Sequence, residues 1–271
     1  MVKFIAAAFL LSSLSLEAIA DPDEQVDLLV TVKLDNGLEQ AGVLTVVKGD
    51  RPSALVMLMP GDPGVLRSEV AGGRIVKSRM PGHTFVRARH LLVRPGLAAV
   101  LVDCRSDMES CGESYVMSKE RFDDVAKLLA EVKRLQPGIR KVWVAGHSFG
   151  TLSSASLARY GAGTFDGSIH ASTILFIKSS YRSLVGYDYS LAKIPQLFIH
   201  HRNDPCQGTP YAEAERVAGK YNIPIVTITE ASGQRGGPCG AFSEHGFVGA
   251  EKILMQTIAD AVERGVEQFR R

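Results

Sequence analysis

Net charge is almost absent from this chain: 31 lysines and arginines stand against 29 aspartates and glutamates, a formal balance of +2. No basic stripe with interleaved aromatics runs along it, so the electrostatic footprint of a nucleic-acid binder is missing. An acidic partner has no counterpart either. Internal repeats and low-complexity tracts are lacking, which leaves no sign of a solenoid or a disordered tail. Long apolar runs are missing too, apart from residues 4–16, and that stretch is too short to span a bilayer comfortably.

The first residues read as an address. Lys3 supplies a positive start, residues 4–16 an apolar stretch, and Ala18, Ile19 and Ala20 a small-residue cleavage site before Asp21. The expectation is a signal peptide over 1–20 and a single α/β domain over 21–271, exported to a periplasm or secreted. A retained membrane anchor is the competing reading. No cysteine lies at the cleavage site, so no lipid or other stable membrane anchor is expected. Nothing in the pattern fixes an oligomeric state.

Cysteine is scarce: Cys104, Cys111, Cys206 and Cys239. An even number in an exported chain suits an oxidising compartment, and four allow three pairings. Cys104–Cys111, closing a short loop, and Cys206–Cys239 are favoured over the others. Free buried thiols are the alternative. The spacings match no usual zinc pattern, and neither a metal nor a cofactor is implied.

Residues 25–34 and 41–47 alternate like strands, with Asp35, Asn36 and Gly37 as a hairpin turn between them. The continuous apolar runs 54–59 and 97–102 suit strands buried on both faces. Residues 84–93 are read as a helix, as are 119–135 and 151–160. Strands are expected at 141–145, 168–177, 195–199 and 223–228, and a last helix at 251–269. Strands alternating with helices imply a doubly wound, mostly parallel sheet.

Gly146, His147, Ser148, Phe149 and Gly150 form G-x-S-x-G between the strand at 141–145 and the helix at 151–160. This is the pattern of a nucleophile elbow, in which a tight turn lifts one hydroxyl clear of its neighbours. Gly146 and Gly150 spare the turn a Cβ that would collide. An acid and then a histidine should follow along the chain. Asp204, just past the strand at 195–199, is the candidate acid, with Glu230 and Asp188 as fallbacks. Beyond Asp204 only His245 remains as a base. A serine hydroxyl needs a neighbouring base to take its proton. An imidazole can take it and later return it to a leaving group, and a carboxylate fixes the imidazole's tautomer.

On the elbow, Asp204 and His245, the chain resembles the α/β-hydrolase family, in particular exported serine hydrolases of the esterase and dienelactone-hydrolase-like kind. The segments 103–105 and 112–114 resemble a loop of that family more loosely. The resemblance implies the α/β-hydrolase fold with a minimal lid, because the 177–195 connection is short. It also implies two backbone donors for an oxyanion: Phe149 N–H, and one from residues 60–64. Pro60 and Pro63 carry no N–H, which leaves Gly61 and Asp62, and alignment with the family's pattern favours Asp62. Pro60 departs from that pattern, standing where a histidine is common. The Asp62 carboxylate would also oppose a nearby anion unless it points away or binds a substrate amine. Tyr181, Tyr187 and Tyr189 lie in the segment expected to border the pocket, where they would either stack on a substrate or stand as ordinary surface tyrosines.

The function these residues imply is hydrolysis of a carboxylic ester through an acyl-enzyme, with a small-molecule ester or acyl substrate as partner. A serine peptidase or amidase on the same three residues, or a non-catalytic binder on this scaffold, are the alternatives.

Overall fold

The computed structural model describes residues 24–176 and 183–270. The expected signal peptide and Tyr181 lie outside them. In chain order the strands β1 (Gln25–Lys33), β2 (Glu39–Val47) and β3 (Ala54–Met59) come first, followed by a small hairpin of β4 (Glu69–Ala71) and β5 (Arg74–Lys77). Then come α1 (Thr84–Ala88), β6 (Leu97–Val102), α2 (Glu113–Val116), α3 (Lys119–Leu135), β7 (Lys141–His147) and α4 (Gly150–Tyr160). The last elements are β8 (Gly167–Ala171), β9 (Gln196–His201), α5 (Tyr211–Tyr221), β10 (Ile225–Ile228) and α6 (Glu251–Arg264).

The main sheet has the order β1-β2-β6-β3-β7-β8-β9-β10. From β6 to β10 every pairing is parallel, while β1 and β2 join antiparallel at one edge. A strand's side chains alternate between faces, and β3 shows the result. Val56 and Leu58 pack with Phe85 of α1 and Leu254 and Ile258 of α6, whereas Leu55, Met57 and Met59 pack with Val125 and Leu128 of α3. Helices on both faces are why β3 and β6 are apolar at every position. The sheet is thus doubly wound and mostly parallel.

Several expected elements are shorter than their apolar patterns. The helix at 84–93 is α-helical only over α1 and then tightens into a 3-10 turn, Arg89–Leu91. The strand at 168–177 stops at Ala171, because Ser172 turns to a left-handed φ of 46°. The last helix ends at Arg264, where Gly265 takes φ 83°, a value glycine adopts without strain, and residues beyond form a separate 3-10 turn. Helix α5 has no counterpart in the sequence reading. It packs Ala214, Val217 and Ala218 beside Phe198, and these small side chains make a faint apolar stripe.

Between β8 and β9 the described residues form only a 3-10 turn, Tyr189–Leu191, and no cap domain. Tyr187 and Tyr189 do not border the cavity, contrary to expectation. Tyr189 is buried, and the Tyr187 hydroxyl donates to the Ala155 carbonyl of α4 at 2.9 Å. Their aromatic faces serve the packing beneath α4. Among the described residues no helix is long and apolar enough to cross a membrane.

Candidate active site

Strand β7 delivers Ser148 at its C-terminal end, with φ 55° and its N–H donating to the Ala171 carbonyl at 3.0 Å. A non-glycine residue in the left-handed region is strained and marks a special turn. The flanking glycines permit it. A Cβ on Gly150 would lie 2.1 Å from the Met59 carbonyl oxygen, and one on Gly146 would lie 2.3 Å from that of Gly150. No side chain fits at either distance, so strand, turn and helix close on each other only with glycine there.

Asp204 follows β9 by three residues, and its carboxylate is fully enclosed. Its Oδ1 accepts the Cys206 N–H at 2.9 Å and its Oδ2 accepts the Thr209 hydroxyl at 2.7 Å. His245, in a 3-10 turn (Glu244–Gly246) before α6, places Nδ1 3.1 Å from Asp204 Oδ2 and 3.1 Å from Thr209 Oγ1. Because the carboxylate accepts there, the ring proton sits on Nδ1, which leaves Nε2 as a base. The fallback acids lie elsewhere: Glu230 is exposed and accepts from Thr229, and Asp188 is exposed and caps the Tyr189–Leu191 turn.

Ser148 and His245 line one cavity of about 790 Å³, together with Phe149, Gly61 and Asp62. That volume is in the range of small-molecule sites, and most of its wall is apolar, including Met80, Ile174, Phe176 and Pro205. Gly61 N–H lies 2.9 Å from His83 Nε2, while Asp62 N–H has no partner among the described residues. Partial desolvation raises the Asp62 carboxyl above its usual range, which eases the neutral form that a neighbouring anion would tolerate.

Cys206–Cys239 lines this cavity, and Cys104–Cys111 packs behind the lining residue Pro63. Cys206–Cys239 has its Cα atoms 4.6 Å apart and joins the loop of Asp204 to the segment before His245. Cys104–Cys111 spans 5.6 Å between Cα atoms, and Cys111 N–H donates to the Pro63 carbonyl at 2.8 Å. Both pairings are the favoured ones, and no cysteine is free. Two disulfides suit an oxidising environment. Among the described residues no group of three or more His, Cys, Asp or Glu is placed to hold a metal ion.

Thr209, His83 and His147 also reach the site, and the sequence reading gave none of them a role. Thr209 had a faint signal, a hydroxyl five residues past the acid. His147 lay inside the elbow motif, in the position where any residue is allowed. His83 had no local signal, because only the packing of α1 beneath the cavity brings it there. All six histidines from His83 to His245 other than His90 are buried.

The sequence matches no family model and no curated protein. Its structure is similar to an α/β serine hydrolase without a lid from Xanthomonas campestris, with TM-score 0.54 and 15% identity over 90% of this chain and 94% of that one. It is also similar to an esterase of Pyrococcus furiosus, with TM-score 0.57 and 12% identity over 89% and 92% of the two chains. A third likeness is to an acylaminoacyl peptidase of Pyrococcus horikoshii, with TM-score 0.58 and 15% identity, covering 92% of this chain and 42% of that one. The chain has the α/β-hydrolase fold, in a form without a cap among the described residues.

Proposed function

We propose that this chain is an exported serine hydrolase that cleaves a carboxylic ester through an acyl-enzyme. The observation that carries the reading is one cavity shared by Ser148, on a strained elbow, and His245, whose Nδ1 is held by the buried Asp204 carboxylate. His245 Nε2 takes the Ser148 proton as Oγ attacks the ester carbonyl carbon, and the carbonyl oxygen becomes an oxyanion. The N–H groups of Phe149 and Asp62 would stabilise that charge. The N-terminus of α4, which opens at Gly150, adds a favourable dipole. The imidazolium then protonates the departing alcohol, and water repeats the sequence on the acyl group to regenerate Ser148.

Among the described residues Ser148 Oγ makes no hydrogen bond. A catalytic hydrogen bond of this kind often tightens only when substrate binds. The apolar wall of the cavity supports an apolar acyl or alcohol portion, and the disulfides support maturation in a periplasm or outside the cell.

A fluorophosphonate probe tests the reading. It should label Ser148 in the folded protein, and Ser148→Ala should abolish labelling. Hydrolysis of p-nitrophenyl esters should fall by about 10³-fold or more in Ser148→Ala and His245→Ala. Folded wild-type protein that resists the probe would favour a non-catalytic binder, and faster cleavage of aminoacyl anilides than of esters would favour a peptidase. Sequencing the N-terminus of the exported protein tests cleavage before Asp21.

A further inference from the structure

We propose that His83 and His147 form a positioning couple that holds the loop carrying His245 at a fixed separation from Ser148. This rests on the hydrolase reading above, in which neither residue has a chemical step to perform.

The geometry is a chain of short contacts running under the nucleophile. Gly61 N–H lies 2.9 Å from His83 Nε2, His83 Nε2 lies 3.2 Å from His147 Nδ1, and His147 Nε2 lies 2.8 Å from the His245 carbonyl oxygen. The rings of His83 and His147 stand edge to face with centroids 5.0 Å apart, and those of His147 and His245 are tilted by 50° with centroids 5.1 Å apart. His147 is the residue before the nucleophile. Its ring therefore reaches from the elbow to the base loop on one side and, through His83, to the start of α1 on the other.

Proton counting makes the couple specific. A carbonyl oxygen only accepts, so His147 Nε2 must carry a proton to bond His245. Burial holds His147 well below the ordinary imidazole range, so it has no second proton, and its Nδ1 is an acceptor. That acceptor is satisfied when His83 carries its own proton on Nε2. His83 Nδ1 is then free to accept the Phe85 N–H at 3.2 Å, which caps α1. The cost falls on Gly61, whose N–H then faces a protonated His83 Nε2 and makes no hydrogen bond there. The opposite tautomer satisfies Gly61 but breaks the bonds to Phe85 and His147. Two bonds against one favour the first arrangement, so His83 and His147 act as a matched pair of tautomers aimed at the base loop.

Other contacts set the loop's height but do not replace this one. Ser172 Oγ also donates to the His245 carbonyl at 3.1 Å, and Thr84 Oγ1 and Arg87 donate to the next carbonyl, that of Gly246, at 2.7 and 2.9 Å. His147 belongs to the elbow itself, so its bond ties His245 directly to the residue before Ser148. A displacement of about 1 Å between reacting groups is enough to cost about 100-fold in rate.

Three substitutions at one position test this, because Gln places its amide nitrogen near the imidazole Nε2 and Asn near Nδ1. His147→Gln keeps a donor to the His245 carbonyl. His147→Asn loses that donor but retains polarity, and His147→Phe keeps only the ring. The measurements are kcat and KM for a p-nitrophenyl ester, the second-order rate of fluorophosphonate labelling, and the thermal midpoint. His147→Asn and His147→Phe should lose about 10- to 100-fold in kcat and in labelling rate, with KM within about twofold, while His147→Gln recovers to within a few-fold of wild type. A merely structural role would lower the thermal midpoint and leave kcat and labelling of the folded fraction unchanged. Asn and Phe variants with wild-type kinetics, or a Gln variant no better than Phe, overturn the couple. If Phe does not fold, the Asn and Gln pair alone decides. A wild-type protein that never labels removes the hydrolase reading instead, so the two failures are separable.

Discussion

Cys206 donates its backbone N–H to Asp204 Oδ1 at 2.9 Å, so the half-cystine and the buried carboxylate form one short turn. The other half, Cys239, lies six residues before His245. The disulfide thus closes a loop of sequence separation 33 that Asp204 and His245 flank on either side.

Replacing Cys206 and Cys239 together by Ser should lower stability by about 4 kcal/mol on the loop-closure entropy of such a span. Ester hydrolysis should fall further than the unfolded fraction explains, because the turn holding Asp204 loosens. Denaturant titration beside kcat at a temperature where the variant is folded checks both parts. An unchanged kcat in the folded variant would show that the turn holds itself.

Thr209→Val removes the hydroxyl that donates to Asp204 Oδ2 at 2.7 Å and sits 3.1 Å from His245 Nδ1. A hydrogen bond to an enclosed charge is worth about 1.5–3 kcal/mol. The expected result is a fall in kcat of about tenfold, with KM nearly unchanged and Thr209→Ser close to wild type. A loss confined to KM would assign Thr209 to the cavity wall.

Buried neutral histidines make stability depend on pH in one direction. Burial lowers His83 and His200 to about 3 and His170 to about 4 from the unfolded value of 6.5. Between those limits the unfolded chain binds protons that the folded chain refuses. The stability these groups contribute is therefore complete above about pH 6.5 and lost as pH falls toward 4. Each group accounts for about 1.4 kcal/mol per pH unit in that window, and the three together for about 4. Urea titrations at pH 7, 6 and 5 should show this slope, with His170→Gln reducing it by about one proton's worth. Equal stability at pH 7 and 5 would contradict it.

The sheet was legible because its signals are local. Apolar runs of the length of β3 and β6, and the 3.6-residue period of α3, follow from burial alone. The ends were less legible where one residue's backbone decides them: Ser172 and Gly265 leave the regular dihedrals within segments that remain apolar. Helix α5 escaped because alanine contributes little contrast between its faces. Ser148, Asp204 and His245 could be named as candidates because the elbow is contiguous and chain order limits the partners. His83 could not, since its place beside Gly61 is created by tertiary packing across 22 residues. Tyr187 and Tyr189 misled because an aromatic side chain suits a core as well as a pocket.

Neither pair of half-cystines lies within the eight-stranded sheet. One ties the bank of Gly61–Gly64 through Cys111, and the other ties the bank of Asp204 and His245. The layers can therefore assemble from apolar contacts while every thiol is still reduced, with oxidation needed only to set the margins around Ser148. Shape would then precede the setting of the site during maturation, and a chain kept reduced would hold its sheet and helices while the loops around Ser148 stayed unpinned until oxidation.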